Sequence, residues 1–204
     1  MSLAAVPAAR EVILASRSPR RSQLLDLVGV SHAAIPSGVP EDALPGEVPV
    51  EQVRRLAREK ALHVAASHPD AALVIGADTL VVLGDSVLGQ PRDKKEARAM
   101  LRALSGATHT VVTGVFLLGP GGGVAQGDST SRVTFHPLTE EEIRWYVASG
   151  EPMDKAGAYA AQGLGAVFIR SIEGSFHNVV GFPLDLFYRL LPDVGLDLAS
   201  LRGA

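Results

Sequence analysis

The chain of 204 residues contains no cysteine, which excludes disulfides, thiolate nucleophiles and zinc sites built on Cys ligands. Hydrophobic residues at 47% and charged residues at 20% describe a folded globular chain rather than a disordered one. With 19 Lys and Arg against 22 Asp and Glu the net charge is −3, and aromatic residues reach only 5%, which argues against a nucleic-acid partner. An anionic ligand must therefore be held by a local cluster of cations.

In chain order, Glu11 to Ala15 (EVILA) predicts a short buried strand. Ser18-Pro19 then supplies an N-cap with Pro at the first helical position, and Gly29 ends that helix. Val30 to Ile35 is strand-like, and the Pro- and Gly-rich Ser37 to Pro49 is a loop. From Pro49 to about Ser67, apolar residues recur at helical spacing. Ala72 to Ala77 and Leu80 to Leu83 predict strands on either side of Asp78-Thr79, with a turn at Gly84-Asp85. Asp93 to Leu104 is an amphipathic helix. Thr108 to Leu118 and Thr130 to His136 are long strands, joined through GPGGGVAQG into a hairpin with a mobile tip. Thr139 starts a helix with Glu142 as its capping-box partner. The polar segment EPMDKAGAYAAQG follows, then a strand over Ala166 to Ile172 and a last helix from about Pro183 to Leu191.

This alternation predicts an α/β or α+β mixed sheet flanked by helices, with two lobes around a cleft and no linker that splits the chain. No run approaches the roughly 18 apolar residues of a spanning helix. The first residues, MSLAAVPAAR, lack a basic start, so a cytoplasmic protein without a secretory signal is expected. The sequence has no Gly-Lys-Ser/Thr phosphate loop, no G-x-S-x-G and no H-E-x-x-H, and its six His are scattered.

Chemistry concentrates elsewhere. Ser16-Arg17-Ser18-Pro19-Arg20-Arg21 lies at a strand-to-helix junction, where free N–H groups favour anions. It reads either as a polyphosphate cradle or as a plain N-cap with solvated arginines. Asp78, between two apolar segments, is either structurally satisfied or placed for catalysis. Glu41 in its loop and Lys60 in its helix read singly as solvated charges. Asp154, Lys155 and Gln162 share a Gly-bounded segment whose small residues suit close approach to a ligand or tight packing.

The order Ser-x-Ser-Pro-Arg-Arg, Glu41, Lys60, Gly-Ala-Asp-Thr, Ser-Gly-x-x-His, Glu-Pro-x-Asp-Lys-Ala-Gly, Gln-Gly-x-Gly and Val-x-Gly-x-Pro-Leu resembles the Maf family of nucleoside triphosphate pyrophosphatases over about residues 12–186. The resemblance implies one catalytic domain over residues 1–204, with an elongated two-lobed fold similar to the inosine triphosphatases and a central cleft. It further implies cleavage of the α–β phosphoanhydride of a nucleoside triphosphate with a divalent cation (Mg²⁺ or Mn²⁺), and a homodimer. By the same likeness Asp78 is the proton acceptor, Lys60 and Lys155 are catalytic, and Ser16, Ser18, Arg20 and Arg21 bind phosphate. Glu41 and Asp78 are expected metal ligands. Arg20, Thr79 and Gln162 match the dTTP/UTP branch, where a Gln amide can both donate to and accept from uracil or thymine. Gln90 departs from the family's usual Lys, a loss that Arg92 or Arg17 would have to offset. A non-catalytic nucleotide-binding regulator of septum formation is the alternative reading.

Overall fold

A computed structural model describes residues 11–201. The reading of residues 1–10 lies outside them. Strand β1 (Val12–Leu14) leads into helix α1 (Pro19–Leu27), the two-residue strand β2 (Ala33–Ala34) and the long helix α2 (Pro49–Ala65). Strand β3 (Leu73–Leu83), β4 (Ser86–Leu88) and helix α3 (Lys94–Leu104) follow. Next come β5 (Thr108–Leu118), β6 (Val124–Phe135), α4 (Glu140–Ala148), β7 (Ile169–Glu173), α5 (Phe176–Val180), α6 (Leu184–Leu190) and α7 (Leu198–Leu201). The strands form one mixed sheet in the order β2-β1-β3-β5-β6-β7, with β4 also paired to β3.

Four sequence expectations change, the first being that the strand expected over Val30 to Ile35 shrinks to Ala33–Ala34, where β1 offers only two partners. Asp78-Thr79 does not interrupt a strand: β3 runs through it, because residues 74–82 pair continuously with β5. The hairpin tip shrinks to a 3₁₀ turn at Pro120–Gly122, since β6 begins at Val124 and pairs with β5 up to Leu118. Residues 164–168 form a 3₁₀ turn, so the strand expected from Ala166 begins at Ile169.

The central strands alternate their side chains between two faces. Helix α2 covers one face, packing Ala57 and Ala61 on Val74 and Phe116. The other face carries two cores. Leu73, Ile75, Val115 and Leu117 pack with Leu24 and Leu25 of α1 and Phe187 of α6. Val81, Val111, Val133 and Phe135 pack with Leu101 of α3 and Ile143 and Tyr146 of α4. Between these cores the same face presents Thr79 and Thr113, whose hydroxyls bond each other at 2.9 Å. That polar belt divides the molecule into two lobes.

The cleft follows from strand register. One edge of β3 is paired to β1 at Leu73–Ile75 and to β4 at Val81–Leu83. The five residues between, Gly76 to Leu80, have no strand on that edge, while the opposite edge is held by β5. This notch leaves the middle of a central strand open to side chains rather than to another strand, and Arg21 and Lys60 reach it there.

Candidate active site

Two glycines set the position of the buried charge. A Cβ on Gly76 would sit 1.9 Å from the Ala57 carbonyl oxygen, and one on Gly114 would sit 2.4 Å from that of Val53. Any larger residue would therefore push α2 away from the sheet. With α2 this close, Lys60 Nζ donates to Asp78 Oδ1 at 2.6 Å and pairs with Glu41 Oε1 at 2.5 Å. Lys60 and Asp78 are each 5% exposed, whereas Glu41 reaches in from its exposed loop, anchored where Gln52 donates to its carbonyl oxygen. Burial pushes the Asp78 carboxyl above the usual carboxylate range, with Lys60 and Arg21 pulling in the opposite direction.

The notch is braced by Arg21. Its Nε donates to the Gly181 carbonyl at 2.9 Å, Nη1 to Ser16 Oγ at 3.1 Å and the Ala77 carbonyl at 2.9 Å, and Nη2 to Thr79 Oγ1 at 3.1 Å. Four of the five N–H groups of a guanidinium are thereby used inside the protein. Ser16 Oγ also accepts the Ser18 N–H at 3.1 Å, which shapes the turn into α1. Ser18 occupies the N-cap position, as the sequence predicts, but its side chain makes no cap hydrogen bond.

The second lobe contributes the segment from Glu151 onward. Asp154 accepts from Arg20 Nη1 at 3.0 Å and from Lys155 Nζ at 2.5 Å, so one carboxylate holds two cations at the cleft mouth. Partial burial acts to raise the Asp154 pKa, but the bonds from Lys155 and Arg20 outweigh it and hold the carboxyl below its ordinary value. Gly157 donates to the Gly89 carbonyl at 3.1 Å, and Ala158 takes the left-handed backbone (φ +56°). Gln162 is exposed and lines the cleft.

All ten residues singled out from sequence, Ser16, Ser18, Arg20, Arg21, Glu41, Lys60, Asp78, Thr79, Lys155 and Gln162, line one cleft of about 590 Å³. That volume suits a ligand of nucleotide size. Five cations face three carboxylates there (Arg17, Arg20, Arg21, Lys60 and Lys155 against Glu41, Asp78 and Asp154), an excess of positive charge in a chain of net −3. Gln90 lines the same space. Of the two arginines that could offset it, Arg17 lines the cleft, while Arg92 is bound to Glu96. Sequence reasoning gave no separate role to Asp154 or Glu151, although both stand in the Glu-Pro-x-Asp-Lys motif.

A divalent cation fits the donor set. Glu41 and Asp78 already converge on a cation, the Lys60 ammonium, and one or two carboxylates completed by phosphate oxygens and water is the coordination Mg²⁺ favours. No group of three or more His, Asp or Glu able to hold a metal occurs among the described residues. The other ligands must come from substrate and solvent.

A model of the Maf-like protein family matches residues 11–194. A dTTP/UTP pyrophosphatase of Aquifex aeolicus is 48% identical over 91% of this chain and 96% of its own length. One from Syntrophus aciditrophicus is 50% identical over 91% and 90%, and one from Escherichia coli is 50% identical over 87% and 90%. A solved nucleoside-triphosphatase / dITP/XTP pyrophosphatase of Mycobacterium abscessus aligns at TM-score 0.33 and 14% identity over 61% of this chain and 72% of its own, too distant to add weight. With the family model spanning nearly the whole chain and relatives at about half identity, the chain belongs to the Maf-like protein family.

Proposed function

We propose that this cleft hydrolyses the α–β phosphoanhydride of dTTP and UTP, releasing the nucleoside monophosphate and pyrophosphate. The chain is an enzyme, a hydrolase of nucleotide metabolism. The observation that carries the reading is Asp78, a buried carboxylate bonded through one oxygen to Lys60 at the floor of a cation-rich cleft. Relatives at about half identity bear the dTTP/UTP pyrophosphatase name.

In the reaction, water attacks the α phosphorus, its proton passes to Asp78, and the bond to the bridging oxygen breaks so that pyrophosphate leaves with that oxygen. Asp78 Oδ1 is held by Lys60, which orients the carboxylate and leaves Oδ2 to take the proton. Arg20 and Lys155 exchange Asp154 for phosphate oxygens when substrate enters, and Ser16 and Ser18 shape the phosphate turn. Arg21, with most of its donors used internally, fixes Ser16 and Thr79 and contributes its charge. A divalent cation, Mg²⁺ or Mn²⁺, would be held by Glu41 and the phosphates beside Asp78, whose two oxygens serve Lys60 and the proton, and would supply further neutralisation of the charge on the phosphates.

Base choice rests on Arg20, Thr79 and Gln162. The Thr79 hydroxyl is occupied by Arg21, Thr113 and the Gly181 carbonyl, so it acts through the shape it imposes. The Gln162 amide makes no hydrogen bond to another described residue, leaving its donor and acceptor for the base. Nothing in the geometry favours a non-catalytic regulator, which has no use for Asp78. The proposal extends to a cytoplasmic homodimer that does not bind nucleic acid. No helix among the described residues is long and apolar enough to cross a membrane, and sedimentation at the mass of a 21.3 kDa monomer would remove the dimer.

A nucleotide panel with Mg²⁺, Mn²⁺ or chelator tests the activity. Monophosphate and pyrophosphate should form fastest from dTTP and UTP, and only with metal. Release of orthophosphate would place the cleaved bond elsewhere.

A further inference from the structure

We propose that Glu151, together with Tyr146, is a positioning residue that fixes the base-reading loop and so sets the choice of pyrimidine. The inference rests on the reading of Gln162 as the group that faces the base.

The chain from Lys155 to Gly165 carries cleft-lining residues without a strand or α-helix to satisfy its backbone, so other groups must do so. Glu151 does this at one end of the loop. Its Oε2 accepts the Leu164 N–H at 3.0 Å, and its Oε1 accepts the Gly165 N–H at 3.0 Å and the Tyr146 hydroxyl at 2.9 Å. The Tyr146 oxygen in turn accepts the Ala160 N–H at 3.0 Å. Three hydrogen bonds thus tie both sides of Ala161-Gln162-Gly163 to one node, whose two members are joined by the fourth. Tyr146 is fully buried and packs edge-on to Phe168 with ring centroids 5.1 Å apart, so the node is fixed to the core of the second lobe.

The glycines of Gln-Gly-x-Gly follow from that node rather than from contact with a ligand. A Cβ on Gly163, where φ is +97°, would lie 2.5 Å from Glu151 Oε2, and one on Gly165 would lie 2.6 Å from the Tyr146 oxygen. Partial burial acts to raise the Glu151 pKa, but the two N–H groups and the Tyr146 hydroxyl prevail and keep the carboxyl below its ordinary value, ionised as the node requires.

The consequence is for specificity. Gln162 is held only through its backbone, so the placement of its amide is the placement of the loop. Uracil and thymine present an acceptor and an N–H donor where cytosine presents the reverse pair, and an amide tells them apart only when held close to one orientation. Asp78, Lys60, Arg20 and Arg21 sit on β3, α2 and α1, outside this loop. Loosening the node should therefore reduce discrimination more than it reduces phosphate handling.

The test is kcat/KM for UTP and CTP in the wild type, Gln162→Ala, Glu151→Gln and the double variant. Gln162→Ala and Glu151→Gln are each expected to lower the UTP-to-CTP ratio at least about tenfold. The double variant should fall little further, because the two residues act as one unit. Tyr146→Phe keeps the ring and loses only the hydroxyl. It should shift the ratio the same way and carries the test if Glu151→Gln fails to fold, as judged by near-UV circular dichroism. An equal loss for both nucleotides in Glu151→Gln or Tyr146→Phe, with the ratio preserved while Gln162→Ala lowers it, overturns the positioning role and leaves the base reading intact. A ratio unmoved by Gln162→Ala overturns the base reading itself, and this inference with it.

Discussion

Arg20 and Arg21 are adjacent and chemically identical, yet the fold gives them opposite tasks. Arg21 is buried with four N–H groups spent on Gly181, Ser16, Ala77 and Thr79, whereas Arg20 bonds a single exposed carboxylate, Asp154. Lysine cannot reproduce a planar fork, so Arg21→Lys should cost about 2–3 kcal/mol in chemical denaturation. Arg20→Lys should leave stability nearly unchanged and raise KM for UTP. The pair Arg-Arg is visible in the sequence, but which of the two faces solvent depends on Gly181, 160 residues along the chain from Arg21. His109 is a second residue that only tertiary packing explains. It is 2% exposed, bonds the Tyr159 hydroxyl at 2.8 Å, and burial lowers its pKa to about 4. Its unfolded value is near 6.5, so the unfolded chain binds the extra proton first as pH falls. Stability from neutral His109 is thus complete above about pH 6.5 and is lost as pH drops towards 4, a loss on the order of 3 kcal/mol. Urea denaturation across that range should show the wild type losing about this amount of stability relative to His109→Phe.

Elements with strong local signals were legible. The Thr139–Glu142 capping box forms where the sequence places it, and the amphipathic helix expected from Asp93 begins at Lys94 with Asp93 as its cap. Elements held by partners distant in sequence were not. β3 crosses Asp78-Thr79 unbroken because β5 supplies its hydrogen bonds, a pairing that no local pattern encodes. The Gly-rich hairpin tip is short for the same reason, and α5 has only five residues, too few to show a helical period. At this scale Gly76 is the position that joins stability to function. Gly76→Ala drives a methyl into the Ala57 carbonyl and lifts α2, which carries Lys60 away from Asp78. Thermal unfolding should show a loss of about 2 kcal/mol or more, with pyrophosphate release falling in the protein that still folds.

Across the whole molecule, the cleft is a consequence of where strands end. β1 and β4 cover the two ends of one edge of β3 and leave its middle open, and the Thr79–Thr113 belt parts the apolar cores on the face opposite α2. Charges from both lobes meet there: Arg20 from α1, Lys60 from α2, Asp78 from β3 and Lys155 from the segment after α4. The identity of these residues was readable from their motifs, whereas their convergence needed the register of the sheet. The net charge of −3 likewise concealed a cleft with more cations than carboxylates. We propose that this convergence is catalytic, with Asp78 accepting the proton of the attacking water. The most direct measurement pairs pyrophosphate release with UTP binding by calorimetry in Asp78→Asn. Release should fall by roughly 10²–10⁴-fold while UTP still binds within a few-fold of the wild type, and a variant that releases pyrophosphate at the wild-type rate would contradict the account.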